Sequence, residues 1–291
     1  VFKRAEDQDM AHKGAVVITG ASTGMGEYCA IGLAQRGYRV FAGVRKAADG
    51  EMLRKQAPSG LEPLIIDVVN EAQVRESAVT VEKALGGEPL LALWNNAGIT
   101  VNGPLEFLPL DDLRRQLEVN VIGQVAATQA FLPMIRKSKG RILITGSIGG
   151  FFTTPMLIPY CMSKYAMEAM ADGLRRELRP SGVKVVLLEP GGIKSKIWEK
   201  GISESEAFLK KAPPQMMEVY GWLVNALRRL APQMEKGARP PKEVFDCVVH
   251  ALESSRPRTR YRMGANSTAQ KIIASLPDRV QDALVGKMMG G

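Results

Sequence analysis

The chain has 291 residues, 45% of them apolar and 24% charged, a length and balance that bury a large core unaided and exclude a disordered or disulfide-stapled polypeptide. Its cysteines, Cys29, Cys161 and Cys247, are far apart, and two histidines, His12 and His250, leave little scope for a zinc centre or a histidine base. The net charge of +9 admits an anionic partner, yet no nucleic-acid motif accompanies it and no run approaches the ~18 apolar residues of a membrane span.

The opening residues, VFKRAEDQDMAHKG, are polar and do not resemble a secretory signal. With reduced cysteines they give the expectation of a cytoplasmic protein, a leader removed ahead of Val1 staying open. From Gly14 onwards short β-branched runs alternate with longer helical patterns. AVVITG reads as a buried strand, and TGASTGMG after it places Gly20, Gly24 and Gly26 in a turn that opens a helix closed by Gly37. Such a turn lets backbone N–H groups and the positive helix end approach a pyrophosphate. No lysine follows the glycines, which disfavours a nucleotide-hydrolysing loop.

YRVFAGVR is the second strand, LEPLIIDVV the third and LLALWNNAG the fourth, with a helix from Asn70 to Leu85 before the last of these. An enzyme selecting NAD usually carries an acid at the end of the second strand; here that end has Val44 and then Arg45. That offers a guanidinium fork for a 2′-phosphate and points to NADP(H), while neutral neighbours such as Ser22 still admit NAD(H). A helix is expected from Leu110 to Lys137, and GRILITGS forms the fifth strand, ending near Ser147. PYCMSKYAMEAM then begins a helix running to Arg179 and stopped by Pro180. Its Tyr160 and Lys164 are four residues apart and share a face, one turn above the other.

VKVVLLEPGG is the sixth strand. Residues 193–242 break the rhythm and read as a helical lid over the carboxyl ends of the strands, with Trp198, Met216, Met217, Tyr220 and Trp222 expected, together with FFTTPMLIP, to line an apolar pocket. In RPRTRYR, Arg256, Arg258, Arg260 and Arg262 alternate as on one face of a strand, read as a solvated or ion-paired face. STAQKIIASLPDRVQDALVGKMM reads as a single amphipathic, basic tail helix, docked on the body or on a partner subunit, with peripheral membrane contact as the lesser option. The pattern predicts an α/β fold, a doubly wound, mostly seven-stranded parallel sheet, in one domain over 1–291: a core at 14–192, the lid at 193–242, and a last helix, strand and tail at 243–291.

TGASTGMG, NNAG (Asn95 to Gly98), YCMSK and PGG (Pro190 to Gly192) follow one another at strand ends, and on them the chain resembles the short-chain dehydrogenase/reductase family over about Gly14 to Gly264. VFAGVRK, LWNNAGI and RPRTRYRMG are similar to its retinol and hydroxysteroid dehydrogenase branch. Met25 replaces a usual isoleucine, a volume-conserving exchange. The resemblance implies a Rossmann-like oxidoreductase with Asn120, Ser147, Tyr160 and Lys164 as catalytic tetrad. It places Gly20, Ser22, Thr23, Gly24, Met25, Gly26, Arg45, Asp67, Val68, Asn96, Ala97, Gly98, Tyr160, Lys164, Pro190, Gly191, Ile193 and Ser195 around the cofactor. Asn120 is implied to support a water relay to Lys164, and a homodimer or homotetramer is implied through the helices around Leu110 to Lys137 and Tyr160 to Arg179.

Hydride transfer requires a proton to move at the substrate oxygen. A lysine ammonium one turn from a tyrosine is expected to lower the phenol pKa toward neutrality. The substrate expected is a small apolar carbonyl or alcohol of steroid, retinoid or other lipid-like type. A 3-oxoacyl thioester reductase is an alternative, as is a non-catalytic NADP(H)-binding regulatory or scaffold protein.

Overall fold

The computed structural model describes residues 12–57, 59–195 and 205–290. Seven strands, β1 (Ala15–Ile18), β2 (Arg39–Val44), β3 (Leu61–Ile65), β4 (Leu90–Asn95), β5 (Arg141–Thr145), β6 (Lys184–Pro190) and β7 (Arg260–Met263), lie in the order β3-β2-β1-β4-β5-β6-β7. Every pairing is parallel. A parallel sheet needs a crossover between strands, and the helices supplying them cover both faces.

Alternate residues of each strand feed different cores, as a period of two requires. Val16, Ile18, Val40, Ala42, Trp94 and Leu143 pack with α1 (Gly24–Gln35), α2 (Ala47–Gln56) and α9 (Lys242–Glu253). Val17, Phe41, Leu93, Ile142 and Ile144 pack on the other side with α3 (Glu71–Leu85), α5 (Gly123–Lys137) and α6 (Ile158–Glu177). Asn70 caps α3 by accepting from the Gln73 N–H, and Gly86 closes that helix at φ 56°.

Four sequence expectations need correction. The expected helix from Leu110 to Lys137 is two helices, α4 (Leu110–Leu117) and α5, joined by a π-helical turn at Glu118–Ile122. A hydrophobic period cannot register one extra residue in a turn. Helix α2 adds an element to those predicted, its polar sequence burying only Gly50 and Leu53. The four alternate arginines do not share a strand, since β7 begins at Arg260. Pro257 precedes it, and only Arg260 and Arg262 occupy the ladder, both ion-paired. The tail is likewise not one helix: α10 (Ser267–Ile273) and α11 (Asp278–Met289) are separated at Pro277, which cannot continue a helix.

After β6 the chain forms helical turns at 205–211 (α7) and α8 (Pro214–Gly237). Leu223, Val224 and Ala226 of α8 cluster with Met156 from the segment after β5 and Met289 of α11. Among the described residues no helix is long and apolar enough to cross a membrane.

Candidate active site

The carboxyl ends of β1 and β4 adjoin where the strand order reverses, and a crevice opens there in any doubly wound sheet. Thr19, fully buried, fastens its floor. Its Oγ1 accepts from the Asn96 and Ala97 N–H groups at 2.9 and 3.0 Å. Asn96 Nδ2 returns two bonds, to the carbonyls of Thr19 (3.0 Å) and Gly20 (3.1 Å). The glycine turn and the NNAG segment are thus one hydrogen-bonded unit. Gly20 has φ 65°, and a β-carbon on it would stand 2.6 Å from Ala97 Cα; one on Gly26 would stand 2.5 Å from the Gly20 carbonyl oxygen. Only glycine fits either place.

This arrangement fits a dinucleotide. Thr23 precedes α1 in extended conformation without a side-chain cap on the helix, so the first N–H groups of the helix keep no side-chain acceptor and could bind an anion. Ser22, Thr23, Gly24 and Met25 are partly exposed around that opening, and Ser195 stands across it, its Cβ 3.4 Å from where a β-carbon on Gly24 would lie. Arg45 is exposed just past β2 and makes no ion pair among the described residues. Asp67 Oδ1 accepts from the Val69 N–H, Val68 is buried against Gly123, and Gly98 faces Asn120. Pro190 ends β6 and Gly191 and Ile193 follow it, with the Gly191 N–H held by the Met263 carbonyl at 2.8 Å. These residues all stand at or just past the carboxyl ends of β1, β2, β3, β4 and β6. Asn96 differs in role, because its side-chain donors are spent on the turn.

Ser147, Tyr160 and Lys164 converge beside this crevice. Ser147 Oγ accepts from the Gly149 N–H at 3.1 Å and lies beside Tyr160, both side chains bordering Gly149. Lys164 is buried, its Nζ donating to the Thr145 carbonyl at 2.8 Å and lying 5.6 Å from the Tyr160 ring centroid. Burial pushes Tyr160 up to about 12, the Ser147 hydroxyl opposing it, and burial brings Lys164 down to about 8. The expectation that the lysine lowers the tyrosine pKa is therefore corrected for the protein alone: burial of the phenol dominates, and Lys164 directs its ammonium to Thr145.

Asn120 sits in the π turn, almost completely buried. Its Oδ1 accepts from the Ile99 N–H (2.8 Å) and its Nδ2 donates to the Ile99 carbonyl (3.0 Å) and Ser163 Oγ (3.1 Å). Ser163 in turn donates to the Tyr160 carbonyl at 2.6 Å. Asn120 thus links the β4 loop to the first turn of α6, and its side chain makes no bond to Lys164. Gln116, one turn earlier, accepts from the Val101 N–H and donates to the Ile99 carbonyl, while Gln124, one turn later, donates to the Ala97 carbonyl. Sequence reasoning missed Thr19, Thr145, Ser163, Gln116 and Gln124. The four-residue spacing of Gln116, Asn120, Gln124 and Thr128 was a usable signal.

The pocket residues expected from the lid divide. Met216 is buried, whereas Met217 and Trp222 are 41% and 55% exposed. Tyr220 donates to Glu106 at the surface, and Trp198 lies outside the described residues. Met156, Leu223, Val101 and Leu108 are buried, and Phe208 of α7, half-buried, packs with Leu108 against Gly103.

The sequence model of the short chain dehydrogenase family matches residues 14–206. The chain is 34% identical over 277 residues to the NADPH-dependent 3-dehydrocapnine reductase of Ornithobacterium rhinotracheale, covering 93% of this chain and 95% of that one. It is 34% identical to retinol dehydrogenase 16 of Mus musculus, over 93% and 87%. A short chain dehydrogenase from Burkholderia cenocepacia J2315, solved in complex with NADP, superposes with a TM-score of 0.71 at 26% identity, over 94% of this chain and 98% of that one.

Proposed function

The chain belongs to the short-chain dehydrogenase family and is an NAD(P)-dependent dehydrogenase/reductase; on that premise we propose that it uses NADP(H) to interconvert a carbonyl and an alcohol on an apolar, lipid-like substrate, with Tyr160 as acid or base. One observation carries this reading: Ser147 and Tyr160 present hydroxyls side by side, with the buried Lys164 one turn away, against a glycine crevice shaped for a dinucleotide.

The dinucleotide, when bound, supplies or accepts the hydride. Ser147 holds the substrate oxygen against the phenol, as a preorganised donor does for developing charge. Tyr160, whose pKa is raised, carries its proton at neutral pH, which is the form that protonates a carbonyl oxygen during reduction. Asn120 and Ser163 fix the first turn of α6, and with it the direction of the phenol. Phe208, half-buried beside Gly103, supports an apolar substrate, because burying such a molecule against it removes both surfaces from water. The lid reading of residues 193–242 agrees with α8 packing on Met156.

Arg45 supports NADP(H), as does the NADPH dependence of the 3-dehydrocapnine reductase. Arg45→Ala is expected to raise the Michaelis constant for NADPH about 10- to 100-fold, the loss of a charge-assisted bond of about 1.5–3 kcal/mol, and to leave that for NADH unchanged. Equal effects on both would assign Arg45 to solvent. The activity itself is tested by following oxidation of NADPH and NADH over a panel of apolar ketones and aldehydes. Turnover confined to polar or thioester-linked substrates would overturn the substrate class. NADPH binding with no turnover on any class would favour the non-catalytic reading.

A further inference from the structure

Beneath the catalytic groups lies a charged network that the mechanism above does not use. Glu168 follows Lys164 by one turn of α6. Arg260 of β7 meets its Oε2 with Nε at 3.2 Å and a terminal nitrogen at 3.1 Å. The same Nε lies 3.2 Å from Glu189 Oε1, so one N–H is shared by two carboxylates. Arg260 also binds Asp172 at 2.8 Å, and Arg262 takes the second oxygen of Glu189 at 3.0 Å. Glu189 is only 2% exposed. Glu168 Oε1 is buried without a hydrogen-bond partner and lies under Gly150, where a β-carbon would come within 3.1 Å of it.

The position of this carboxyl matters more than its pairing. Gly150 ends the turn that starts at Ser147, α6 carries Tyr160 and Lys164, and Glu189 immediately precedes Pro190 and Gly191. One side chain therefore stands on α6, against the turn after Ser147, and across Arg260 from the end of β6. Burial and Glu189 push Glu168 up to about 7, against the pull of Arg260 and Lys271. The charged groups facing it are Arg260 from β7, Glu189 from β6, Lys271 from α10, and Asp172 on its own helix; Lys164 turns its ammonium to Thr145.

We propose that Glu168 is a positioning residue that binds a proton as the dinucleotide seats: neutral, it ends the repulsion with Glu189 and lets α6, the turn after Ser147 and the Pro190–Gly191 segment draw together, while ionised it holds them apart. This inference rests on the dinucleotide-binding reading above. Arg260 keeps Asp172 and Glu189 when Glu168 is neutral, so the network survives the loss of that one charge.

The test is NADPH affinity between pH 6 and 8, read by nucleotide fluorescence, in the unmodified chain, Glu168→Gln and Asp172→Asn, with melting temperatures over pH 5 to 8.5 on the same samples. The unmodified chain is expected to lose about fivefold more affinity across that range than Glu168→Gln, a coupling at the low end of the usual range. Asp172→Asn should keep the step, moved to lower pH because Arg260 then turns more fully to Glu168. Parallel affinity profiles in the unmodified chain and Glu168→Gln would overturn the proposal, as would loss of the step in Asp172→Asn. In the melts the sign is fixed by linkage: the native state keeps a proton that the unfolded chain releases from about pH 4.5, so this contribution to stability declines with rising pH until about 7. Glu168→Gln should accordingly gain melting temperature relative to the unmodified chain as pH rises from 5 to 8. If NADPH binds at no pH the cofactor reading fails, and the melts decide on Glu168: a widening gap upholds proton binding there and parallel curves overturn it.

Discussion

Tyr160→Phe is expected to lower kcat by about 10²–10⁴-fold, the range contributed by a positioned general acid or base, while NADPH binding and melting temperature stay near those of the unmodified chain. The change removes the phenol oxygen and nothing else. The ring keeps its place beside Gly149, and the bonds that orient the first turn of α6 run through the Tyr160 main-chain carbonyl and Ser163. Ser147 retains its bond from the Gly149 N–H, so no buried hydroxyl is orphaned. Single-turnover kinetics with a preformed NADPH complex read the effect directly. A variant that keeps more than about a tenth of kcat would remove Tyr160 from proton transfer and leave polarisation by Ser147 as the main contribution.

Gly20→Ala is expected to produce the largest loss of stability of any single methyl group added at the crevice. Two costs act there together. The backbone is held at φ 65°, where a β-carbon costs about 1–2 kcal/mol. The added carbon also meets Ala97 Cα at 2.6 Å, which is backbone and cannot swing aside, and overpacking of that kind costs about 1–3 kcal/mol. The sum, about 2–5 kcal/mol, lowers the melting temperature by roughly 5–15 °C in a domain of this size. Relief of the contact would also part the turn from Asn96 and Thr19, so NADPH affinity should fall with it. Gly37→Ala provides the comparison. It has φ 90° with no atom within 4 Å of the added carbon, so only the backbone term applies and the loss should be about 1–2 kcal/mol. Equal losses at the two positions would show that backbone strain alone, and not the approach of the β4 loop, requires glycine in the turn.

The sheet was legible in the sequence because each strand is short, β-branched and bounded by turn residues, and because parallel strands are buried on both faces. The glycine turn and the Tyr160–Lys164 pair were legible for a related reason. Each is a local spacing whose geometry is set by a single turn or a single helical repeat. Strand ends moved by up to four residues, as at Leu61–Ile65, where Ile66 to Val69 proved to lie beyond the ladder. The larger errors lay where local pattern carried no information. The π turn at Glu118–Ile122 leaves hydrophobic periodicity almost unchanged, and the amphipathic pattern of α8 gave no means of telling the face that buries Met216 from the one that exposes Trp222.

The sequence by itself determined the succession of strands and the chemical groups at their carboxyl ends, since these follow from residue type and spacings of a few residues. Only the tertiary structure decided which electrostatic environment those groups occupy. Lys164 finds the Thr145 carbonyl, Asn120 finds Ile99 and Ser163, and Glu168 shares Arg260 with Glu189. These partners come from different strands and helices, Glu168 and Arg260 being 92 residues apart. A pKa depends on burial and on charges within a few ångströms. Neither quantity exists until the sheet has folded and its helices have packed against it, which is why Tyr160 reads as a depressed phenol in the chain and is a raised one in the fold.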